Sequence, residues 1–260
     1  MNGINPRIFE QEIPEAVDSI FPDWFFTLKN PDIPGGVLIN GSMFHPKRRL
    51  EHSEKILREL RHDYAHFIDL SYFESENKAL EMKGVTVFDY RNRKVYLTLS
   101  ARSNIEVAEE LIRQLNMLIT DPKRHYRLVT FTSQDKNGEI IYHTDVMMTI
   151  LHSHIVINTS ALCEQDRERI IDEITSEEND HPYEIIDISF EETDSFGSNM
   201  FNLLDKSGNQ TVICSKTAYN NFTTKNLETL CQHYKLVPMD VSTIELLGGG
   251  STRCMMVELF

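Results

Sequence analysis

Val85-Thr86-Val87-Phe88-Asp89 and Lys94-Val95-Tyr96-Leu97-Thr98-Leu99 are two strand-length, largely apolar runs separated by the polar link Tyr90-Arg91-Asn92-Arg93. β-Branched and aromatic residues suit a pleated, half-buried surface, so the pair predicts a hairpin. Downstream lie a helix from Asn104 to about Leu115 and a strand near Tyr126 to Thr132. Strand, strand, helix, strand then recurs. The next copy has a hairpin across Asn137-Gly138, with strands Glu139 to Tyr142 and Met147 to Asn158, a helix from Gln165 to Ile174 and the strand Tyr183 to Ile188. Another runs through Met200 to Leu204 and Thr211 to Cys214 around Ser207-Gly208-Asn209, a helix from Ala218 to Tyr234 and the strand Leu236 to Val241. Upstream, Val37-Leu38-Ile39, the amphipathic stretch Leu50 to Leu60 and His66 to Leu70 supply a strand, a helix and a strand. One supersecondary unit recurring at near-constant spacing marks a repeat or propeller-like array. Cys254 to Leu259 reads as a strand opening one more copy, whose helix is absent. The few residues before Pro22 would have to complete it, which leaves a gap in the ring or an element lent by a second copy of the chain in a homo-oligomer.

At 260 residues, with no linker rich in Pro, Gly or Ser and no low-complexity tract, the chain 1–260 reads as a single domain. The formal charge of −14 argues against nucleic acid as a partner, because that binding is driven by Lys and Arg neutralising phosphates. Met1-Asn2-Gly3-Ile4-Asn5-Pro6 has no basic segment leading into an apolar one, and no apolar run is long enough to span a bilayer. A cytoplasmic protein without membrane attachment is expected. Its four cysteines, Cys163, Cys214, Cys231 and Cys254, lack zinc-type spacing and are too few for a disulfide framework, so thiols are expected.

Several residues can carry chemistry. In Gly248-Gly249-Gly250-Ser251-Thr252-Arg253-Cys254 three glycines allow a tight loop beside a thiol, and Cys254 reads equally as a buried structural cysteine or a nucleophile. Tyr142-His143-Thr144-Asp145 reads as strand, which would place His143 and Asp145 on one face, an imidazole beside a carboxylate. His152 and His154 are also two apart, but no third ligand stands at recognisable spacing, so no metal is expected. Glu81 precedes Lys83-Gly84 at the entry of the opening hairpin, and Arg102 stands where a strand hands over to a helix with Asn104 as N-cap. Arg48 and Arg49 precede a helix in the same way. Arginines at such junctions can grip a carboxylate in two-pronged fashion or form surface salt bridges. In Phe21-Pro22-Asp23-Trp24-Phe25-Phe26 aromatic residues surround one acid, as core packing or as the wall of a cation site.

Taken in order, Phe21 to Thr27, Arg48-Arg49-Leu50-Glu51, Glu81 with Gly84, Leu99-Ser100-Ala101-Arg102, His143-Thr144-Asp145 and Gly248 to Cys254 resemble the guanidine-modifying enzymes. These are the arginine deiminase, dimethylargininase and amidinotransferase group, and the chain is most similar to the citrulline-utilisation branch, from about Ile20 to Phe260. The resemblance implies an α+β fold, the five-fold αβ propeller of ββαβ modules called a pentein, with the module completed by the N-terminus truncated. It also implies a cofactor-free hydrolase for a small guanidine such as arginine. Cys254 would be the nucleophile, His143 the general acid and base, and Glu81 and Asp145 the carboxylates that hold the guanidinium. Arg102, and Arg48 or Arg49, would bind the substrate carboxylate, and Gly249 and Gly250 would line the pocket. Citrulline and ammonia are the expected products; ornithine from a dihydrolase, transfer of the amidino group, and a non-catalytic propeller are the alternatives. Two positions depart from the pattern. Lys29 falls where arginine deiminases carry a guanidinium-gripping aspartate, and Asp23 stands where the nearest branch usually has asparagine.

Overall fold

Residues 6–10, 13–16 and 18–260 are described by a computed structural model; the expected lack of a leader rests mainly on residues 1–5, outside that set. Among the described residues the repeat is present four times. Each copy is a three-stranded sheet whose first two strands are antiparallel and whose third joins the second in parallel. A parallel third strand requires a crossover, and a helix supplies it every time. In chain order the first copy holds β1 (Phe25–Asn30), β2 (Ile33–Asn40), α1 (Glu54–Leu60) and β3 (His66–Asp69). After the short helix α2 (Met82–Val85), the second holds β4 (Val87–Asp89), β5 (Lys94–Thr98), α3 (Ile105–Met117) and β6 (Arg127–Phe131). The third comprises β7 (Met148–Ile150), β8 (His154–Ile157), α4 (Glu164–Thr175) and β9 (Glu184–Asp187). Following α5 (Phe190–Asp194), the fourth comprises β10 (Phe201–Leu204), β11 (Gln210–Ser215), α6 (Lys216–Asn221), α7 (Thr224–His233) and β12 (Lys235–Met239), and α8 (Ser242–Gly248) leads into the glycine-rich loop.

The second copy shows why the pattern folds this way. β5 is buried along its whole length and sits between β4 and β6, with Tyr96 opposite Val87 on one side and Val129 on the other. Asn104 caps α3 by accepting from the Glu106 and Val107 amides, and Val107, Ala108, Leu111 and Leu115 form its buried stripe.

Chain contacts divide the molecule into two compact units. The N-terminal unit comprises Phe9–Phe131, Tyr142–Thr144 and Val257–Phe260. Its core joins the first two sheets through Leu28, Ile39, Ile68, Val95, Leu97 and Leu111. A second cluster, Trp24, Phe25, Leu38, Leu57, Leu60 and Tyr64, receives Val257 and Leu259 from the chain's last residues. The C-terminal unit, chiefly Thr132–Ile141 and Asp145–Met256, packs Leu151, Val156, Ile186, Met200, Val212 and Leu230 together.

Several local expectations change. The hairpin of the third copy does not run across Asn137-Gly138: Glu139 to Tyr142 is no strand of that sheet, and Met147 to Asn158 is two strands, β7 and β8, paired antiparallel across Leu151-His152-Ser153. The single helix expected from Ala218 to Tyr234 is two, α6 and α7. Cys254 to Leu259 forms no strand: Met255 N–H donates to Ser251 O (3.3 Å) and Met256 N–H to Arg253 O (3.1 Å), so the chain turns at the cysteine. The tail beyond is apolar because its side chains anchor in the Trp24 cluster, helped by Thr27 Oγ1 donating to Glu258 O and Phe260 N–H donating to Tyr64 OH (3.2 Å). The His143 segment is not a strand either; Thr144–Val146 is a turn of 3-10 helix. Thr144 explains it. Its hydroxyl donates to Val85 O (2.5 Å) and accepts from Thr98 N–H (2.9 Å), taking the place of backbone pairing. His143 and Asp145 therefore do not share a strand face. Among the described residues no helix is long and apolar enough to cross a membrane.

Candidate active site

In the N-terminal unit the buried polar groups converge on Glu81, which closes the loop before α2 and is fully excluded from solvent. His143 Nε2 lies 2.7 Å from Glu81 Oε2, and that oxygen also meets Arg48 Nη1 at 3.2 Å and Arg102 Nη1 at 3.3 Å. Phe44 N–H donates to Oε1 (3.2 Å). Burial pushes the Glu81 carboxyl up, but the His143 hydrogen bond and the charges of His143, Arg48 and Arg102 outweigh it and hold it below the usual range. Gly84 fits the same centre. A Cβ built there would stand 2.4 Å from His143 Nδ1 and 2.6 Å from its Cε1, so the imidazole lies flat against a backbone with no room for a side chain.

Arg48 is itself buried and completes an ion-pair network. It donates to Glu51 through Nε (2.8 Å) and Nη2 (3.0 Å), and to Asp23 Oδ2 (3.2 Å) and Phe21 O (3.1 Å) through Nη2. Burial opposes its charge; Glu51, Asp23 and Glu81 more than restore it, raising its pKa. Asp23 Oδ1 faces the ammonium of buried Lys83 at 3.2 Å. Desolvation would raise the Asp23 carboxyl, yet Lys83, His143 and Arg48 together bring it below its ordinary value. Of the three arginines expected to take a substrate carboxylate, Arg48 thus spends its donors inside the protein. Arg49 donates to Met43 O (3.1 Å) and stands 3.7 Å from Glu74. Arg102 keeps 32% of its side chain exposed and stacks over the Tyr142 ring at 4.4 Å. Lys29, which falls where arginine deiminases carry an aspartate, is exposed near the end of β1.

The C-terminal unit holds Cys254 and Asp145. Asp145 is fully buried, with Arg253 Nε 3.6 Å from its Oδ2. Arg253 Nη1 also donates to Thr149 Oγ1 (3.2 Å). Cys254, half-buried, comes after a loop whose geometry Gly249 begins: this glycine closes α8 with φ of +70°, a conformation that costs other residues. Gly250 next to it is buried. Two side chains secure the turn from Ser251 to Cys254. Ser251 Oγ donates to Glu245 Oε1 (2.6 Å), and Asn199 accepts at Oδ1 from the Arg253 amide (3.0 Å) and the Cys254 amide (3.4 Å) while its Nδ2 lies 3.0 Å from Cys254 Sγ.

Lys83, Glu51 and Asn199 have no assigned role in the sequence. The Arg48–Glu51 pair carried a signal, opposite charges three apart at a helix start. Lys83 beside Glu81 carried a weaker one, and Asn199, uncharged and 55 residues from its partner, carried none.

The whole chain, residues 1–260, matches the profile of the eukaryotic N,N dimethylarginine dimethylhydrolase family. The chain belongs to this family. It is therefore a member of a family of hydrolases that act on guanidino groups. No curated protein matches. Among solved structures, apo ArgZ, an arginine dihydrolase from the ornithine-ammonia cycle in cyanobacteria, is similar at 15% identity and a TM-score of 0.67, over 92% of this chain and 33% of ArgZ. This chain thus spans about a third of the full ArgZ length. The N-terminal domain of ArgZ bound to substrate is similar at 15% identity and a TM-score of 0.67, over 94% of this chain and 76% of that one. A dimethylarginine dimethylaminohydrolase adduct with S-methyl-L-thiocitrulline matches at 17% identity and a TM-score of 0.57, over 95% and 77%. Family and fold agree with the guanidine-modifying superfamily that the motifs resemble, and with its α+β class.

Proposed function

We propose that the chain hydrolyses the guanidinium of arginine or a close derivative through Cys254, releasing citrulline and ammonia or an amine. The observation that carries this reading is the buried Glu81–His143 pair at 2.7 Å, an imidazole held by a carboxylate kept ionised, in a member of this family. A guanidinium is resonance-stabilised and poorly electrophilic, so the nucleophile must be a thiolate. The Cys254 thiolate adds to the central carbon, and protonated His143 gives its proton to the departing nitrogen. The carbon–nitrogen bond breaks and leaves a thiouronium on sulfur. Neutral His143 then takes a proton from water as the water adds to the same carbon. Expulsion of the thiolate completes the urea group of citrulline. Glu81 stabilises the imidazolium in the first half, and Asp145 and Glu81 are the anions for the guanidinium. Arg102, the most exposed of the three candidate arginines, is assigned to the substrate carboxylate. The fold likeness to ArgZ, an arginine dihydrolase, motivates a second reading with the same residues, in which both terminal nitrogens leave and ornithine is formed. Amidino transfer to an amine would start from the same covalent intermediate. A cytoplasmic enzyme working without a cofactor, as a homo-oligomer or alone, completes the proposal.

The test is a panel of arginine, N,N-dimethylarginine and agmatine, scored for citrulline, ornithine, ammonia and dimethylamine, with Cys254→Ala and His143→Ala as controls. Turnover of one of them that both substitutions abolish supports the reading. No product from any, with equal slow alkylation of every accessible cysteine, leaves the non-catalytic propeller.

A further inference from the structure

We infer that Asn199 is a positioning residue for the Cys254 thiol: it fixes the direction of the sulfur and favours its thiolate. The inference rests on Cys254 as nucleophile but is tested separately from it. Asn199 is 3% exposed and its backbone is held by a turn. Its N–H donates to Phe196 O (2.9 Å), Met200 N–H donates to Ser198 O (2.8 Å), and Ser198 Oγ donates to Val146 O (2.5 Å). The turn is close-packed at Gly197, where a Cβ would stand 2.8 Å from Glu192 O. From this platform Asn199 reaches the nucleophile loop at four atoms. Its carbonyl accepts from Thr252 Oγ1 (2.9 Å), Oδ1 accepts from the amides of Arg253 (3.0 Å) and Cys254 (3.4 Å), and Nδ2 is 3.0 Å from Sγ.

Chemistry fixes which way the amide faces. Backbone N–H groups can only donate, so the oxygen must take the side of Arg253 and Cys254, and the NH2 group must face sulfur. A donor aimed at a thiol stabilises its anion more than its neutral form, and the thiolate is the reactive species. Charged groups of this unit that meet the loop include Arg253, 3.6 Å from Asp145, and Glu245, which holds Ser251 Oγ at 2.6 Å. None of them is altered by changing Asn199. One neutral side chain thus joins a donor at Sγ to an acceptor at the Cys254 amide.

The test uses the full chain with Cys163→Ser and Cys231→Ser, which removes the two other thiols that are not buried. The rate of Cys254 alkylation by iodoacetamide is followed against pH. Asn199→Asp keeps an oxygen for the two amides and replaces the donor at sulfur with a carboxylate oxygen; the midpoint is expected to rise by about one pH unit or more. Asn199→Ala, which introduces no charge, should raise it too. With a turned-over guanidine, kcat at neutral pH falls while KM is retained, and kcat recovers as the pH is raised. Thr252→Val loosens the same loop without touching the donor and should leave the midpoint in place. An unchanged midpoint in both Asn199 variants, or an equal rise in Thr252→Val, overturns the inference. A midpoint raised in the Asn199 variants, with a parent protein that turns over no guanidine, would sustain the role of Asn199 and refute the proposed reaction instead.

Discussion

Gly84→Ala is the smallest change that tests whether His143 works where the structure puts it. The new methyl carbon would lie 2.4 Å from Nδ1, 2.6 Å from Cε1 and 2.8 Å from Cγ of the imidazole. Ordinary contact between such atoms is about 3.5 Å, so ring and backbone must part by about 1 Å. The ring has little space to retreat: it is 4% exposed, hydrogen-bonded to Glu81 on one edge and packed edge-on against Tyr142, with ring centroids 4.7 Å apart. Overpacking of this kind costs about 1–3 kcal/mol of stability. A displacement of about 1 Å in a group that transfers protons costs on the order of 100-fold in rate. The substitution changes no charge and adds no polar atom. Ammonia release from the best guanidine of the panel should therefore fall about 100-fold in kcat/KM, with the urea midpoint lowered and the slope unchanged. Full activity in a protein whose midpoint has dropped would show that the position of His143 does not matter to the reaction, and the proposed acid–base role would be lost.

Other perturbations address the charges around it. Lys83→Met removes the nearest cation from buried Asp23, leaving it Arg48 and the charge of His143, and should destabilise by roughly 3–5 kcal/mol, most of it regained in the double variant Lys83→Met/Asp23→Asn; strict additivity in urea unfolding would mean the 3.2 Å pair is not coupled. Glu81 and Asp23 both titrate below their ordinary values, so their contribution to stability is present above those ordinary values, 4.5 for Glu and 3.8 for Asp, and is lost as pH falls through the lowered native ones. Glu81→Gln removes one of these groups, and a urea midpoint with the same acid dependence as the parent would contradict the network. His154, fully buried, has its pKa lowered chiefly by desolvation and then by His233, with Glu184 opposing. A base with a depressed native pKa stabilises above its unfolded value, about 6.5, and that contribution is lost as pH falls. His154→Gln should flatten the fall in stability that sets in below about pH 6.5; an unaltered profile would exclude the group.

The repeat was legible because its signal is periodic: apolar runs of strand length, polar turns and helix stripes recur, as in β5 and α3. Family motifs brought out Glu81, His143, Asp145 and Cys254, but not their surroundings. Three places show the limit. An apolar tail from Met255 to Leu259 has strand composition, yet composition cannot distinguish a strand that pairs from a segment whose side chains dock on Trp24, Leu38 and Tyr64. Thr144 breaks the expected alternation through one hydroxyl that bonds Val85 and Thr98, a contact 59 residues long in the first case. Asn199 leaves no local trace, since its importance comes from two amides and a sulfur brought to it by folding.

Charge balance ties these observations together. Around Arg48 in the N-terminal unit, the buried carboxylates Asp23, Glu51 and Glu81 stand with the buried cations Arg48 and Lys83. Arg102, partly exposed, and His143 share Glu81 with them. The chain's own guanidinium, Arg48, already touches all three carboxylates, so the cluster is close to neutral before any substrate cation arrives. Lys29 is exposed to solvent and changes nothing in this sum; Lys83 does. Bare negative charge therefore cannot be what draws a guanidinium to Glu81. On the proposed reading, directional hydrogen bonds and a change of partner would do it, with His143 or Arg102 yielding Glu81 Oε2 as the new cation approaches. Neutral His143 gives up that oxygen more readily than the imidazolium does, so a bound cation and a protonated His143 compete for one carboxylate. Arg102→Gln should then weaken the binding of a carboxylate-bearing guanidine such as arginine far more than that of agmatine, which lacks the carboxylate but meets the same Glu81. Equal losses for the two would assign Arg102 to Glu81 alone and leave the substrate carboxylate without its partner.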